Sequence, residues 1–302
     1  MTTETVRGVV AVTGATGKQG GATARRLLAA GRPVRALVRD RTAPAAVALA
    51  DAGAELAVAD FDDPAGLEPA LAGATALFAV PPVAYGPSDS DDELEFTRGR
   101  ALADAAAATG IRQAVFTGVA STSGAAFAAP GKRRIEEYLH ERIPLVTVLR
   151  PVRFMTNYLG MNGLALDGIV NGVHRHLFTP NQPLQIIALE DIAEFAALAF
   201  EQPDRFAGRT LELAGDAPTP VEAAAAITAA TGIAVRYEQL THDEATALNP
   251  GFAEVRRQWD AGHRWHADIE ALRVIHPGLR TFTDWLTETG AAALRTQLLG
   301  AP

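Results

Sequence analysis

The chain has 302 residues, 48% of them hydrophobic, a formal net charge of -8 and no cysteine. That is a globular composition, long enough for one large or two modest domains. The acidic balance argues against general nucleic-acid binding, and the missing cysteines exclude disulfides, thiolate metal sites and a cysteine nucleophile. A reducing cytoplasm fits this composition and is the expected location. Residues 1–5 show no basic stretch leading into an apolar one, so no signal peptide is visible, and no apolar run reaches membrane-spanning length.

An apolar run at residues 9–13 ends in Gly14-Ala15-Thr16-Gly17-Lys18-Gln19-Gly20. Ala24, Leu27, Leu28 and Gly31 then follow at helical spacing. Strand, glycine-rich turn and helix in that order make a pyrophosphate cradle. Glycine lets the backbone approach the phosphates, and the first helical turn offers N–H groups and the positive end of its dipole. The Gly-x-x-Gly-x-x-Gly spacing is a variant of the dinucleotide fingerprint; a tight strand-to-helix turn without a ligand is the alternative. Gly14, Thr16, Gly17, Lys18, Gln19 and Gly20 are the candidate phosphate contacts.

Further strands are expected at residues 34–38, 55–58, 76–80, 114–117 and 145–149. Helices are expected near 20–30, 43–52, 64–71, 94–109 and 132–141. The strands are short and apolar without alternation, as in a parallel sheet covered on both faces. Gly31, Gly53, Gly73 and Gly110 stand where helices should end. Residues 1–150 therefore read as an α/β dinucleotide-binding domain with a doubly wound parallel sheet. After Arg150-Pro151 the rhythm changes. A helix is expected at 154–166, then a looser stretch with Pro180 and Pro183. Strands at 186–188, 209–213 and 235–240 alternate with helices at 190–201 and 221–231, before terminal helical pieces. Residues 151–302 read as a smaller, discontinuous α/β substrate lobe packed on the first domain.

The second strand ends in Val38-Arg39-Asp40-Arg41. A carboxylate there selects NAD through the ribose 2′-hydroxyl, and an arginine there accommodates the 2′-phosphate of NADP. Arg39 is the first polar residue after the strand, so NADP(H) is the expected cofactor and NAD the alternative; Asp40 would reverse the assignment if the register slipped by one. Lys18 could add a second positive charge. Asp60-Phe61-Asp62-Asp63, after the third strand, suits adenine contacts, with Asp60 accepting from the exocyclic amine and Phe61 flanking the ring. The same run could instead cap the helix opening at Pro64, through Asp63. Val80 and Pro81, after the fourth strand, would pass the cofactor ribose.

With these residues in place the chain resembles the NmrA-like family, a branch of the atypical short-chain dehydrogenase/reductases. The resemblance rests on the Gly14–Gly20 run, Arg39 and Asp60-Phe61-Asp62-Asp63. It continues in Phe116-Thr117-Gly118-Val119, Gly131-Lys132 with Ile135-Glu136-Glu137-Tyr138-Leu139, and Leu149-Arg150-Pro151 with Phe154-Met155 and Asn157. Ala188-Leu189-Glu190-Asp191-Ile192-Ala193 and Phe282-Thr283-Asp284-Trp285-Leu286 complete it. It implies an extended Rossmann domain that binds NADP(H), with Thr117, Gly118, Lys132, Pro151 and Phe154 among the cofactor contacts. It also admits members proposed as NADPH sensors.

Short-chain dehydrogenases use a Tyr-x-x-x-Lys pair, in which tyrosine donates the proton and lysine lowers its pKa and holds the nicotinamide ribose. Lys132 matches the lysine, but Ala128 stands four residues earlier and transfers no proton. Two readings follow. One is an NADPH-dependent reductase of a small quinone or carbonyl, with Tyr85 as the alternative proton donor and Tyr158 and His174 behind it. The other is a redox sensor acting on a regulatory protein partner. Ser121 is a candidate for the usual serine. No direct nucleic-acid or membrane partner is expected, and monomer or homodimer are both open, since the alanine-rich helix at 94–109 could meet a second copy or its own sheet. The pairs His174/His176 and His263/His266 lack matching ligands for a metal, so no metal is expected. Trp259, Trp265 and Trp285 read as packing anchors. For Asn157, helix-interior amide and nicotinamide-side contact are both open.

Overall fold

The computed structural model describes residues 8–80, 92–122, 129–160 and 166–299. Pro81, Tyr85 and Ala128 lie outside them.

A seven-stranded sheet is built from β1 (Val9–Val12), β2 (Val34–Val38), β3 (Glu55–Val58), β4 (Ala74–Ala79), β5 (Gln113–Thr117), β6 (Leu145–Pro151) and β11 (Thr210–Leu213), in the order β11-β6-β5-β4-β1-β2-β3. Every pair from β3 through β6 is parallel. Between these strands run α1 (Lys18–Ala29), α2 (Pro44–Asp51), α3 (Leu67–Leu71), α4 (Asp92–Ala108) and α5 (Pro130–Arg142). The chain is therefore the doubly wound α/β fold that its sequence pattern predicts. β1, β4 and β5 carry Val10, Ala11, Val12, Leu77, Phe78, Val115 and Phe116, all buried, because helices cover both faces. Gly31, Gly53, Gly73 and Gly110 have φ of +72, +100, +77 and +80°, the left-handed region that ends a helix.

Beyond β6 come β7 (Arg153–Phe154), β8 (Ile169–Val170), β9 (Val173–His176), β10 (Ile186–Ile187), α6 (Leu189–Glu201), α7 (Pro203–Phe206), α8 (Pro220–Thr231) and β12 (Arg236–Gln239). The described chain finishes with α9 (His242–Leu248), α10 (Pro250–Asp260), α11 (Ile269–Ile275), α12 (Phe282–Trp285) and α13 (Ala291–Leu299). β7 pairs with β10, and β8, β9 and β12 form a second small sheet. Thr219 with Glu222, Thr241 with Glu244 and Thr281 with Asp284 form reciprocal capping boxes that open α8, α9 and α12. Trp259 and Trp285 are buried packing residues in two separate apolar clusters.

Among the described residues the helix expected at 154–166 does not form. Arg153 and Phe154 pair with β10, and Met155–Leu159 closes as a single 3-10 turn. The apolar spacing of Phe154, Met155, Tyr158 and Leu159 imitates a helix, but Gly160 at φ +89° ends the turn at once. The chain gathers into two compact units, Met1–Val119 with Ala129–Arg150 and Ile192–Leu211, and Ala120–Ala128 with Pro151–Asp191 and Glu212–Pro302. Residues 192–211 thus join the first unit, although they follow residue 150. No helix among the described residues is long and apolar enough to cross a membrane.

Candidate nucleotide site and the buried polar cluster

In the first unit the strand order reverses direction between β1 and β4, the switch point where open α/β sheets bind ligands at their carboxyl ends. Thr13 fixes this crevice. Its buried hydroxyl accepts from the Val80 amide at 2.8 Å and donates to the Val80 carbonyl at 3.1 Å, so the ends of β1 and β4 are held in register. Gly14 then turns at φ +58°, and the Gly17 amide closes the turn on the Gly14 carbonyl at 2.9 Å. Gly20 packs directly on that turn: a Cβ there would stand 2.3 Å from the Gly14 oxygen and 2.6 Å from the Thr13 oxygen. α1 begins at Lys18, so this residue belongs to the first helical turn rather than to the glycine loop. No side chain caps α1 and its first turn holds no acid, which leaves the helix end suited to an anion. Thr16, Gly17 and Lys18 are exposed there.

Gln19 reaches across to β5, where its Oε1 accepts from the Thr117 hydroxyl at 2.6 Å. Gly118 follows, its amide bonded to the Leu149 carbonyl at 2.8 Å. A Cβ on Gly118 would come within 2.4 Å of Glu136 Oε1. Glu136 is buried and accepts two bonds from Arg150, at 3.2 and 2.5 Å. Gly14, Gly17, Gln19, Gly20, Val80, Thr117 and Gly118 therefore meet at one edge of the sheet.

Arg39 and Asp60 stand on the same edge, after β2 and β3. Arg39 is exposed and makes no ion pair among the described residues. Asp40 faces its own loop instead: Oδ1 accepts from the Thr42 amide and hydroxyl, both at 2.7 Å, and these bonds lower its pKa. Asp60 likewise accepts from the Asp62 amide at 3.0 Å, and Asp62 is paired with Arg98 at 2.6 Å. Phe61 packs its ring against the core of the first unit. Asp63 stands at the start of the turn Pro64–Gly66 but makes no side-chain cap bond.

Lys132 is not an isolated ammonium. It lies 2.6 Å from Glu95 Oε1, and the Glu95 side chain is only 1% exposed against 17% for the lysine. Gly131 brings α5 close enough to α4 for this contact, since a Cβ there would be 2.8 Å from the Asp92 carbonyl. Sequence reading missed Thr13, Glu95, Glu136 and Arg150 as site-building residues. For Thr13 a signal existed: a polar residue ending an apolar strand beside the first glycine.

In the second unit Ser121 donates its hydroxyl to Glu212 at 2.7 Å and its amide at 3.1 Å. Pro151 is buried, its carbonyl bonded to the Ala120 amide, and Phe154 is half-buried. Arg153 pairs with Asp167 inside the unit. His176 Nδ1 accepts from the Leu177 amide at 2.8 Å, which leaves its Nε2 proton for Asp167 at 3.3 Å. Burial opposes the Asp167 charge, yet Arg153 and His176 hold its carboxyl well below the usual range. Burial also pushes both His174 and His176 down, although Asp167 partly offsets this at His176. Among the described residues no three His, Asp or Glu gather as a metal site. Asp191, wholly buried, accepts from the Arg280 amide at 3.1 Å and guanidinium at 2.6 Å, tying the Leu189-Glu190-Asp191 stretch to the residues before Phe282.

Similarity to known proteins accords with this architecture. A reductase of Streptomyces griseus, described as a (4-alkanoyl-5-oxo-2,5-dihydrofuran-3-yl)methyl phosphate reductase, is 30% identical over 298 residues, covering 94% of this chain and 99% of that protein. A crystal structure of an NADPH-dependent quinone oxidoreductase from Escherichia coli with NADPH is 25% identical, with a TM-score of 0.72 over 92% of this chain and 98% of that one. NmrA, a negative transcriptional regulator crystallised with NAD, shares the fold at 19% identity and a TM-score of 0.77, over 94% of this chain and 95% of that one. The NmrA-like family model matches residues 7–257, and the chain belongs to the NmrA-like family.

Proposed function

We propose that this protein binds NADP(H) and is an oxidoreductase that reduces a small quinone or carbonyl compound. The cradle carries this reading: Gly14 in a left-handed turn, Gly20 with no room for a side chain, and an uncapped helix end meeting at the switch point. The amides of the first α1 turn would bind the pyrophosphate. Arg39 would take the 2′-phosphate, because Asp40 is committed to Thr42. When bound, the nicotinamide supplies a hydride. Lys132, positioned by Glu95, would hold the nicotinamide ribose through its remaining N–H donors. With alanine at 128, proton delivery falls to another group or to solvent; a hydroquinone oxygen, with a phenol-like pKa of about 10, is basic enough to take its proton from water. The reductase from Streptomyces griseus supports a carbonyl-conjugated acceptor, and the Escherichia coli quinone oxidoreductase supports a quinone.

The decisive experiment follows NADPH oxidation optically against quinones, enones and simple carbonyls. Turnover with at least one class is expected. Clear NADPH binding with no turnover on any acceptor would reject the reductase reading. It would favour the second one, a redox sensor acting through a protein partner, for which Ala128 is the specific observation.

A further inference from the structure

Gln19 and Thr117 form a polar bridge inside the first unit. Thr117 ends β5 and is wholly buried, and its hydroxyl donates to Gln19 Oε1 at 2.6 Å. That is the only side-chain bond of Thr117 among the described residues, so its single hydroxyl hydrogen is spent there. Gln19 stands in the first turn of α1 and is half-buried. A carboxamide has one acceptor end and one end with two N–H donors. The Thr117 bond occupies the oxygen of Gln19, and among the described residues its Nε2 end is neither bonded nor buried. Gln185 shows the structural use of the same side chain. Its Nε2 donates to the Ala267 carbonyl at 2.8 Å and its Oε1 accepts from the Ala267 amide at 3.0 Å, so both ends are used.

The strand order says what passes the open end of Gln19. The sheet runs β5-β4-β1-β2-β3, with Arg39 after β2, the Gly14 turn after β1 and Thr117 at the end of β5. A dinucleotide with its 2′-phosphate at Arg39 and its adenosine-side phosphate on the first-turn amides of α1 runs its other half past β4 toward β5. The Gln19 side chain spans the same direction, from α1 to β5. Two N–H donors held there suit the acceptor oxygens of a second phosphate, and a bond to that charged group is a strong one.

We propose that Gln19 donates from Nε2 to the nicotinamide-side phosphate of the bound dinucleotide, and that Thr117 is the positioning residue that holds the amide this way round. The inference rests on the NADP(H) reading. It moves Thr117, expected as a cofactor contact, to a role through Gln19, because Thr117 has no exposed surface of its own.

Two probes separate the halves of the nucleotide. NADP+ carries both phosphates of the bridge, whereas 2′,5′-ADP keeps the 2′-phosphate and the adenosine-side phosphate and lacks the nicotinamide-side one. Both are titrated calorimetrically into the parent, Gln19→Met, Thr117→Val and Thr117→Ser. NADP+ affinity should fall about tenfold in Gln19→Met and about fivefold in Thr117→Val, and return to within about twofold of the parent in Thr117→Ser. All four should bind 2′,5′-ADP alike. In the parent, the Gln19 side-chain amide signals, followed by NMR on nitrogen-labelled protein and assigned with Gln19→Met, should shift on saturation with NADP+. If Thr117→Val does not fold, Thr117→Ala makes the same comparison. Equal losses for the two probes would make the bridge a support of the cradle alone and overturn the proposal. So would a variant without the Thr117 hydroxyl that binds NADP+ as tightly as the parent, or Gln19 signals that stay unmoved in parent protein binding NADP+. A parent that binds neither probe removes the NADP(H) reading, and this assignment with it.

Discussion

Replacing Gly20 by alanine tests the cradle with a single methyl group. That methyl would meet backbone rather than a movable side chain: the Gly14 oxygen at 2.3 Å, the Gly14 carbon at 2.5 Å and the Thr13 oxygen at 2.6 Å. Overpacking of this kind costs about 1–3 kcal/mol. The upper end applies, because all three contacts are main chain. Alanine recovers about 1 kcal/mol of helix propensity, so the expected net loss is about 2 kcal/mol. α1 must also move away from the Gly14 turn, and the first-turn amides move with it. NADPH affinity should therefore fall at least tenfold, about 1.4 kcal/mol. Gly31→Ala is the matched control. Gly31 sits at φ +72° with nothing within 4 Å, so its substitution costs about 1–2 kcal/mol of backbone strain and leaves NADPH affinity unchanged. Urea unfolding and calorimetry with NADPH read the two terms separately. If Gly20→Ala binds NADPH as tightly as the parent, the helix end is not the phosphate site.

Arg39→Ala should weaken NADPH binding at least tenfold and leave NADH binding unchanged, as measured by fluorescence titration; equal loss for both would mean that Arg39 does not read the 2′-phosphate. Lys132→Met leaves the buried Glu95 carboxylate uncompensated and should destabilise the fold by about 3 kcal/mol, whereas Lys132→Met/Glu95→Gln should recover most of that in urea unfolding. Burial lowers the pKa of His174 and of His176 in the folded protein, while an unfolded histidine titrates near about 6.5. The unfolded state thus binds more protons below that pH, and stability should fall as pH drops below about 6.5. Flat stability between about pH 7 and pH 5 would contradict the lowering by burial.

Much of the first unit was legible because its signals are local. The strands at 34–38 and 55–58 coincide with β2 and β3, and the helix-ending glycines adopt the conformation that only glycine takes readily. What escaped is long-range. Nothing near Lys132 announces Glu95, 37 positions away, and nothing near Gly118 announces that Glu136 and Arg150 crowd it. The region at 154–166 misled because helical spacing of apolar residues also describes a short turn flanked by a strand. The hairpin of β8 and β9 was readable and was missed: Asn171-Gly172, with φ of +51 and +71°, is the dipeptide that two-residue hairpin turns favour. The ion pair of Arg153 with Asp167, and the contact of His176 with that carboxylate, escaped, since the three residues come from separate stretches and only the folded unit gathers them.

The central claim is that the Gly14–Gly20 cradle and Arg39 hold NADP(H). Isothermal titration calorimetry of the folded protein with NADPH, NADP+, NADH and NAD+ tests it without any assumption about substrate. Saturable heat at one site per chain is expected for the NADP(H) pair, with weaker binding of the NAD(H) pair. No heat from any of the four would contradict the account, whatever reaction the chain performs.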